Sequence, residues 1–190
     1  MPFPLITHLE SARLVLRPVV LKDLADLLKI NGDPIVTRFL PYPTWQSLED
    51  GVAWFTRMEA LASTGTSQQL VLARKSDSRV IGTALLFKYD EASSRVELGY
   101  VLGHSSWGQG FMREALRAIC SRVFGSLKLR RIEAEVNPGN IASCRLLASI
   151  GFSLEGTLRQ RWVTKGIPYD TNIYGCLVED WQKNAQSACP

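Results

Sequence analysis

The pattern of hydrophobic and polar positions predicts a chain that alternates between strands and helices. Residues 11–19 alternate around Leu14 and Leu16, which is typical of a half-buried strand. The same reasoning, with polar turns as boundaries, predicts seven strands, at 11–19, 69–74, 79–88, 95–102, 131–136, 153–163 and 169–178. The connections within 69–102 are too short for crossover helices, so the second to fourth strands should form an antiparallel meander.

Helical periodicity is clearest after residue 111. Hydrophobic residues at spacings of three and four predict one long amphipathic helix there, through Met112, Ala115, Leu116, Ile119, Cys120, Val123, Phe124 and Leu127. Shorter helices are expected at 23–30, 47–63 and 141–150. Ser47 followed by Asp50 resembles a helix-capping pair. The apolar segment RFLPYPTW, residues 38–45, contains two prolines and should be a loop.

Together these elements predict an α/β (α+β) fold, with a mixed, mostly antiparallel seven-stranded sheet and helices on both faces. The strands at 95–102 and 131–136 should be parallel, joined by the long helix in a right-handed crossover. The chain has 190 residues, of which 46% are hydrophobic. That length and composition suit one domain and argue against a disordered chain.

Composition and charge exclude several classes of function. The formal net charge is +4, and the dense basic positions are limited to Lys128, Arg130 and Arg131, so specific binding of nucleic acid is not expected. The four cysteines form no CxxC pair and the two histidines lie far apart in sequence, so no metal site is expected. No hydrophobic run suits a membrane span, and residues 1–10 do not resemble a secretory signal, so a cytoplasmic protein is expected.

The stretch YVLGHSSWGQGFMRE, residues 100–114, carries the candidate chemistry. A strand leads into Gly108 and Gly110 and then directly into the long helix. Glycines let main-chain N–H groups approach a ligand, the first turn of a helix leaves such donors unpaired, and Arg113 adds a positive charge. The pattern indicates a phosphate site, although a plain tight turn has the same sequence. The P-loop pattern GxxxxGK[ST] is absent, and Arg113 stands where a dinucleotide fingerprint needs a small residue.

Several separated blocks resemble one family. The segment WGQGFMREA, with ELGYVL before it and VNPGNIASCRLLASIGF after it, resembles the GCN5-related N-acetyltransferase (GNAT) superfamily, and within it the RimJ/RimL-type branch of ribosomal-protein N-terminal acetyltransferases. RLVLRP and EGTLRQRWVTKGIPYDTNIYGCLVEDW extend the resemblance over residues 11–181. It implies the GNAT fold, a single N-acetyltransferase domain at 8–182 and a short C-terminal tail at 183–190.

The resemblance implies acetyl-coenzyme A as cosubstrate and no metal. The coenzyme would lie where the two parallel strands splay apart, with its pantetheine arm along the main chain of Tyr100, Val101 and Leu102. Asn140 and Ser143, from the family's NxxS segment, would face the pantetheine and the sulfur, although Asn140 also suits a helix N-cap. The pyrophosphate would lie on the turn that contains Trp107, Gly108, Gln109, Gly110, Met112 and Arg113.

Two positions depart from the family pattern. Ser105 stands where the phosphate signature often begins with Gln or Arg, and Leu147 where many members carry a tyrosine that protonates the departing thiolate. Main-chain donors do most of the binding in such a turn, so coenzyme binding is still expected. The proton for the thiolate must come from elsewhere or from water, and Ser143 is the candidate acid.

Glu97 is the candidate base. An aliphatic amine is mostly protonated at neutral pH, so a base assists its attack on the thioester, and alternation places Glu97 on the same strand face as Val101. The structural alternative is an ion pair with a neighbouring arginine or a helix end; Glu155 is interpreted as structural. A main-chain N–H near Val101 or Leu102 would stabilise the oxyanion. No cysteine matches a nucleophile position, so direct transfer in a ternary complex is expected.

The sequence leaves the acceptor open. Residues 39–45 and 162–169 should wall its pocket, which would suit the α-amine of a peptide N-terminus or a small-molecule amine. The alternative function is a non-catalytic acyl-coenzyme A sensor, although the presence of Glu97, Asn140 and Ser143 favours the enzyme. A monomer or a homodimer is expected, in which the final strand either finishes the sheet or pairs with a second copy.

Overall fold

The computed structural model describes residues 2–187. Within them, one eight-stranded sheet has the strand order β1-β2-β3-β4-β5-β6-β8-β7. Its strands are β1 (Leu9–Glu10), β2 (Leu14–Pro18), β3 (Gln68–Arg74), β4 (Val80–Asp90), β5 (Arg95–Leu102), β6 (Arg131–Val136), β7 (Ser153–Thr164) and β8 (Ile167–Leu177). The helices are α1 (Leu24–Asn31), α2 (Leu48–Ser63), α3 (Phe111–Ser121), α4 (Ile141–Ser149) and α5 (Val178–Ser187).

The predicted architecture is confirmed. In the described chain the neighbouring strands are antiparallel except for the parallel pair β5 and β6. The eighth strand is β1, which pairs with β2 through only Leu9 and Glu10. A strand of two residues is too short to show alternation, so the sequence pattern predicted seven strands.

Hydrophobic layers cover both faces of the sheet. On one face, alternate residues such as Val96, Leu98 and Ala134 pack with α3 and α4 in the larger core. On the other face, α1 and α2 pack over Val71 and Val80, with Val101 at the edge of this smaller core. These two faces are called the α3/α4 face and the α1/α2 face below.

Two of the predicted elements, the long helix and the last strand, differ in detail from the structure. The long helix does not continue as an α-helix to Leu127, because residues Arg122–Ser126 form a π turn in which the Leu127 N–H donates to the Arg122 carbonyl at 3.0 Å. Val123 and Phe124 both stay buried in this turn. The last strand, β8, is not at the edge of the sheet, because it lies between β6 and β7.

The C-terminal segment is helical. Val178 was expected at the end of the last strand but begins α5, and this helix runs through Ser187 across the expected domain boundary at 182. The end of the expected tail, residues 188–190, lies outside the described residues.

The parallel strands separate after a short ladder. Among the described residues, β5 and β6 pair only at Arg95 with Arg131, Val96 with Ile132 and Glu97 with Glu133. Strand β5 nevertheless continues to Leu102 and β6 to Val136. The second half of each strand therefore faces a gap, as the prediction of a splayed pair requires.

Candidate active site

The edge of β5 that faces this gap presents main-chain groups of alternate residues. The Gly103 N–H donates to the Ile81 carbonyl of β4 at 2.9 Å, which fixes the alternation of the strand. Val101 then directs its main-chain groups to β4, and Tyr100 and Leu102 direct theirs to the gap. The Leu102 carbonyl accepts a hydrogen bond from Trp107 Nε1 at 2.7 Å, which ties the strand end to the following turn.

The turn after β5 has the backbone of an anion-binding site. Gly108 and Gly110 have φ angles of 70° and 77°, in the left-handed region that side chains disfavour. The Glu114 N–H makes the first helical hydrogen bond, 3.0 Å to the Gly110 carbonyl, so the N–H groups of residues 111–113 precede the helical ladder. A Cβ on Gly108 would meet no atom of the described residues within 4 Å, so space remains beside the turn.

A residue that the sequence analysis did not identify supports the turn. Arg13, the residue before β2, donates from Nη1 to the Gln109 carbonyl at 3.0 Å and from Nε to Glu114 Oε2 at 2.6 Å. Gln109 Nε2 also donates to the Ser105 carbonyl at 2.9 Å. Since 96 residues separate Arg13 from Gln109, no local motif indicates this contact.

The remaining predicted coenzyme residues lie around the turn and α4. The side chain of Met112 is buried in the core, which leaves its main chain for a ligand. Arg113 extends from α3 towards the end of α4, where Nη2 lies 3.4 Å from the Ser149 carbonyl. Asn140 caps α4, because its Oδ1 accepts the Ser143 N–H at 3.2 Å. The structure therefore confirms the N-cap role of Asn140, and its role beside the pantetheine stays a prediction.

Ser143, at the start of α4, contacts the side chain of Tyr100 on β5. The hydroxyl oxygens of Ser143 and Tyr100 are 2.6 Å apart, on the α3/α4 face. Burial raises the pKa of the Tyr100 phenol, and the hydrogen bond with Ser143 acts in the opposite direction. Leu147 is fully buried one turn further along α4, with 0% of its surface exposed.

Glu97 lies on the opposite, α1/α2 face, in an ion pair. Only 6% of its surface is exposed, and its Oε2 is 2.7 Å from Lys88 Nζ, which also lies 3.8 Å from Glu135 Oε1. Burial raises the pKa of Glu97, Lys88 lowers it, and the neighbouring Glu135 and Glu133 raise it. The partner is thus a lysine of β4, where the sequence suggested an arginine or a helix end.

Other carboxylates near Glu97 are held by arginines. Glu133 accepts from Arg95 Nη1 at 2.8 Å and from Arg131 Nε at 2.7 Å. Arg131 Nη1 donates to Glu155 at 2.8 Å, which links β6 to β7. The geometry of Glu155 therefore agrees with a structural role.

The expected wall at 162–169 contacts the chain just before the other expected wall, at 39–45. Lys165, in the turn between β7 and β8, donates to the Thr37 carbonyl at 3.0 Å. Trp162 Nε1 donates to Glu135 Oε2 at 2.6 Å. Trp45, by contrast, is buried against Trp54 in the smaller core, with ring centroids 5.6 Å apart, so it does not line a pocket.

The site thus has an anion-binding turn, an open strand edge and proton-exchanging groups on both faces of the sheet. Within residues 2–187, no group of three or more His, Cys, Asp or Glu side chains is placed to hold a metal ion. No helix in that range combines the length and hydropathy needed to cross a bilayer.

Comparisons with known proteins agree with this arrangement. Residues 13–153 match the Acetyltransferase (GNAT) domain family. The uncharacterized N-acetyltransferase p20 of Bacillus licheniformis is 32% identical over 173 residues, which cover 91% of this chain and 97% of that protein. The [ribosomal protein uS5]-alanine N-acetyltransferase of Escherichia coli is 28% identical over 185 residues, 92% of each chain. RimJ of Mycobacterium smegmatis, solved in complex with CoA-disulfide, has the same fold, with a TM-score of 0.83, 22% identity and coverage of 95% and 94%.

Proposed function

Because the chain belongs to the GNAT family of acetyltransferases, we propose that it moves the acetyl group of acetyl-coenzyme A to a primary amine, by direct transfer in a ternary complex. One observation carries this proposal. The β5–β6 ladder ends after Glu97, so that the open edge at Tyr100 and Leu102 continues into the glycine turn at Gly108. A thioester bound along this edge would reach both faces of the sheet.

In this proposal the coenzyme is bound mainly by main-chain groups. The pyrophosphate lies on the turn from Trp107 to Arg113, where the helix N-terminus and the Arg113 guanidinium favour negative charge. The pantetheine arm follows the β5 edge in the manner of an added strand. Asn140 acts by capping α4, which fixes the position of Ser143. The catalytic domain, expected at 8–182, would then include the whole of α5, which continues through Ser187.

In the chemical step, groups on the two faces of the sheet have different roles. Glu97 takes the proton of the acceptor amine, directly or through water, since a base with a pKa nearer neutrality is better matched to this task. The Leu102 N–H, which the alternation of β5 directs into the gap, stabilises the oxyanion that forms on the carbonyl. Ser143 supplies the proton to the departing thiolate.

The acceptor is proposed as the α-amine of a peptide N-terminus or a small-molecule amine. The name of the Escherichia coli relative, an alanine N-acetyltransferase acting on a ribosomal protein, favours the peptide. The carboxylates of Glu97 and Glu135, which share one lysine, would attract an ammonium group of either kind.

The test measures release of free coenzyme A from acetyl-coenzyme A with a panel of N-terminal peptides, polyamines and aminoglycosides, followed by mass spectrometry of the product. Glu97→Gln should lower kcat by about a hundredfold or more, because general base catalysis contributes at least that much, and should remove the acid limb of the pH profile. Glu155→Gln is the matched control and should retain activity. Tight coenzyme binding without release for any amine would contradict the proposal, and an unchanged pH profile would exclude Glu97 as base.

A further inference from the structure

We propose that Tyr100 is a positioning residue for thiolate protonation, whose phenol donates to Ser143 Oγ and leaves the serine hydrogen for the sulfur. This inference rests on the proposed function, because it assigns a second member to the acid side of the same site. It concerns the Tyr100 side chain, whereas the coenzyme is expected to contact only the main chain of this residue.

The fold brings the two hydroxyls together from separate elements. Alternation along β5 places the Tyr100 side chain on the α3/α4 face, opposite Glu97, and puts its main-chain groups at the open edge. The Asn140 cap places Ser143 in the first turn of α4, facing that strand. The resulting separation of 2.6 Å is a short hydrogen bond between two hydroxyl groups.

The direction of this hydrogen bond decides what Ser143 can do. A serine hydroxyl has one hydrogen and two acceptor positions. The neighbouring cap bond engages the Ser143 N–H and Asn140 Oδ1. When the phenol donates, the serine hydrogen is free to point into the gap. When the serine donates, its hydrogen is already used in the bond to Tyr100. Burial raises the pKa of the phenol, so it remains a donor over the working pH range.

The surroundings of Tyr100 supply no charge that would make it a phenolate. The thiol of Cys144 on α4 and the phenol of Tyr174 on β8 both raise the pKa of Tyr100, in addition to burial. Leu147, further along α4, is apolar and fully buried, so it has no proton to give. The hydroxyl of Ser143 therefore has its hydrogen-bond partner on β5, at Tyr100.

The proposed reaction converts an amine and a thioester into an amide and a thiol. The amine nitrogen forms a bond to the acetyl carbon, the carbon–sulfur bond breaks, and the amine proton goes to Glu97. The sulfur takes the hydrogen of Ser143 Oγ, and solvent in the gap returns a proton to that oxygen, while the Tyr100 phenol keeps its hydrogen and its hydrogen bond to Oγ. Solvent then removes the proton from Glu97, so that the products are an amide and the free thiol.

The experiment compares Tyr100→Phe, Ser143→Ala and the double variant in steady-state assays. Tyr100→Phe should lower kcat by about tenfold or more, in the range of positioned proton transfers, with the KM for acetyl-coenzyme A unchanged. The double variant should be no slower than Ser143→Ala alone, because both residues act through one proton path. Tyr89→Phe, in which the ring packs on Phe3 away from α4, is the control and should retain activity.

Three outcomes overturn the inference while leaving the proposed function intact. They are an unchanged kcat in Tyr100→Phe, a rise in the KM for acetyl-coenzyme A alone, and losses in kcat that add in the double variant. A wild-type enzyme that releases no coenzyme A with any amine contradicts the proposed function itself. Should Tyr100→Phe fold poorly, 3,5-difluorotyrosine at the same position keeps the shape and lowers the phenol pKa. It should move the alkaline limb of the kcat profile to lower pH, and an unmoved limb contradicts the inference.

Discussion

The two faces of the sheet carry different kinds of polar groups beside the β5–β6 gap. On the α3/α4 face, the groups beside the gap are neutral hydroxyls, at Tyr100 and Ser143, next to a turn of main-chain amides. On the α1/α2 face, they are charged, with Glu97 and Glu135 near one lysine. Neutral donors suit a sulfur that needs a proton, and carboxylates suit an ammonium that must lose one. This difference supports the proposed division of the chemical step between the two faces.

The two faces also differ in how they are assembled. The proposed coenzyme side is formed mainly by a continuous stretch of strand, glycine turn and helix, to which Arg13 and the start of α4 are added. The proposed acceptor side is formed by β4, β5, β6 and the β7–β8 hairpin, which distant contacts such as Lys165 with Thr37 hold in place. Variants should therefore separate into those that change coenzyme affinity and those that change the acceptor step.

The largest effect on coenzyme affinity is expected at the glycine turn. Gly108→Ala places a methyl group at a left-handed φ, which costs about 1–2 kcal/mol, and the methyl enters the space beside the turn. We expect the Kd for acetyl-coenzyme A to rise about tenfold, since 1.4 kcal/mol corresponds to that factor. Calorimetry measures it directly, and the KM for the acceptor should not change.

Gly125→Ala is the matched control for this variant. Gly125 follows the same helix, its φ is not in the left-handed region, and a Cβ there would meet no described atom within 4 Å. Equal affinities of Gly108→Ala and Gly125→Ala for the coenzyme would show that the turn is not part of the coenzyme-binding site.

This difference in assembly explains what the sequence could predict. The turn at Gly108 and Gly110, the α3 N-terminus and the Asn140 cap depend on neighbouring residues, so local pattern and turn chemistry identified them. The π turn after Ser121 replaces α-helical bonds without altering the hydrophobic spacing, so the pattern did not reveal it. In the same way, a strand as short as β1 has no periodicity to detect.

Side-chain contacts between distant elements could not be predicted from the sequence. Lys88 reaches Glu97 from a bulged part of β4 where its own φ is 52°, an uncommon conformation for a residue other than glycine. Arg13 supports Gln109 from the far end of the sequence, and Tyr100 meets Ser143 only once α4 is packed on the sheet. These contacts depend on tertiary geometry, and they surround the candidate site.

A second, smaller effect is expected from the ion pair on the α1/α2 face. In Lys88→Met the Glu97 carboxylate loses its close positive charge, while burial and the neighbouring glutamates still raise its pKa. Because the base acts in its deprotonated form, a higher pKa moves the acid limb of the kcat/KM profile to higher pH. Activity should fall at acidic pH and recover at alkaline pH.

The control for that prediction is Lys75→Met, which removes a surface lysine paired with Glu10 on another part of the sheet. Its profile should coincide with that of the wild type. An acid limb in Lys88→Met that stays in place, or moves to lower pH, would show that Lys88 does not set the protonation of the base.

The smallest effect is expected at the hairpin wall. Trp162→Phe keeps an aromatic ring but removes the Nε1 hydrogen bond to Glu135 Oε2, so the carboxylate is oriented less firmly. A neutral donor to a charged acceptor is worth about 1.5–3 kcal/mol when buried, and less here because the indole is 44% exposed. The KM for the acceptor should therefore rise about twofold to fivefold, within the reach of such a bond, while the KM for acetyl-coenzyme A stays constant. Trp181→Phe, which changes an indole packed on Phe124 of the opposite face, is the control. A rise in the coenzyme KM of Trp162→Phe, without a change for the acceptor, would reverse the assignment of the two faces.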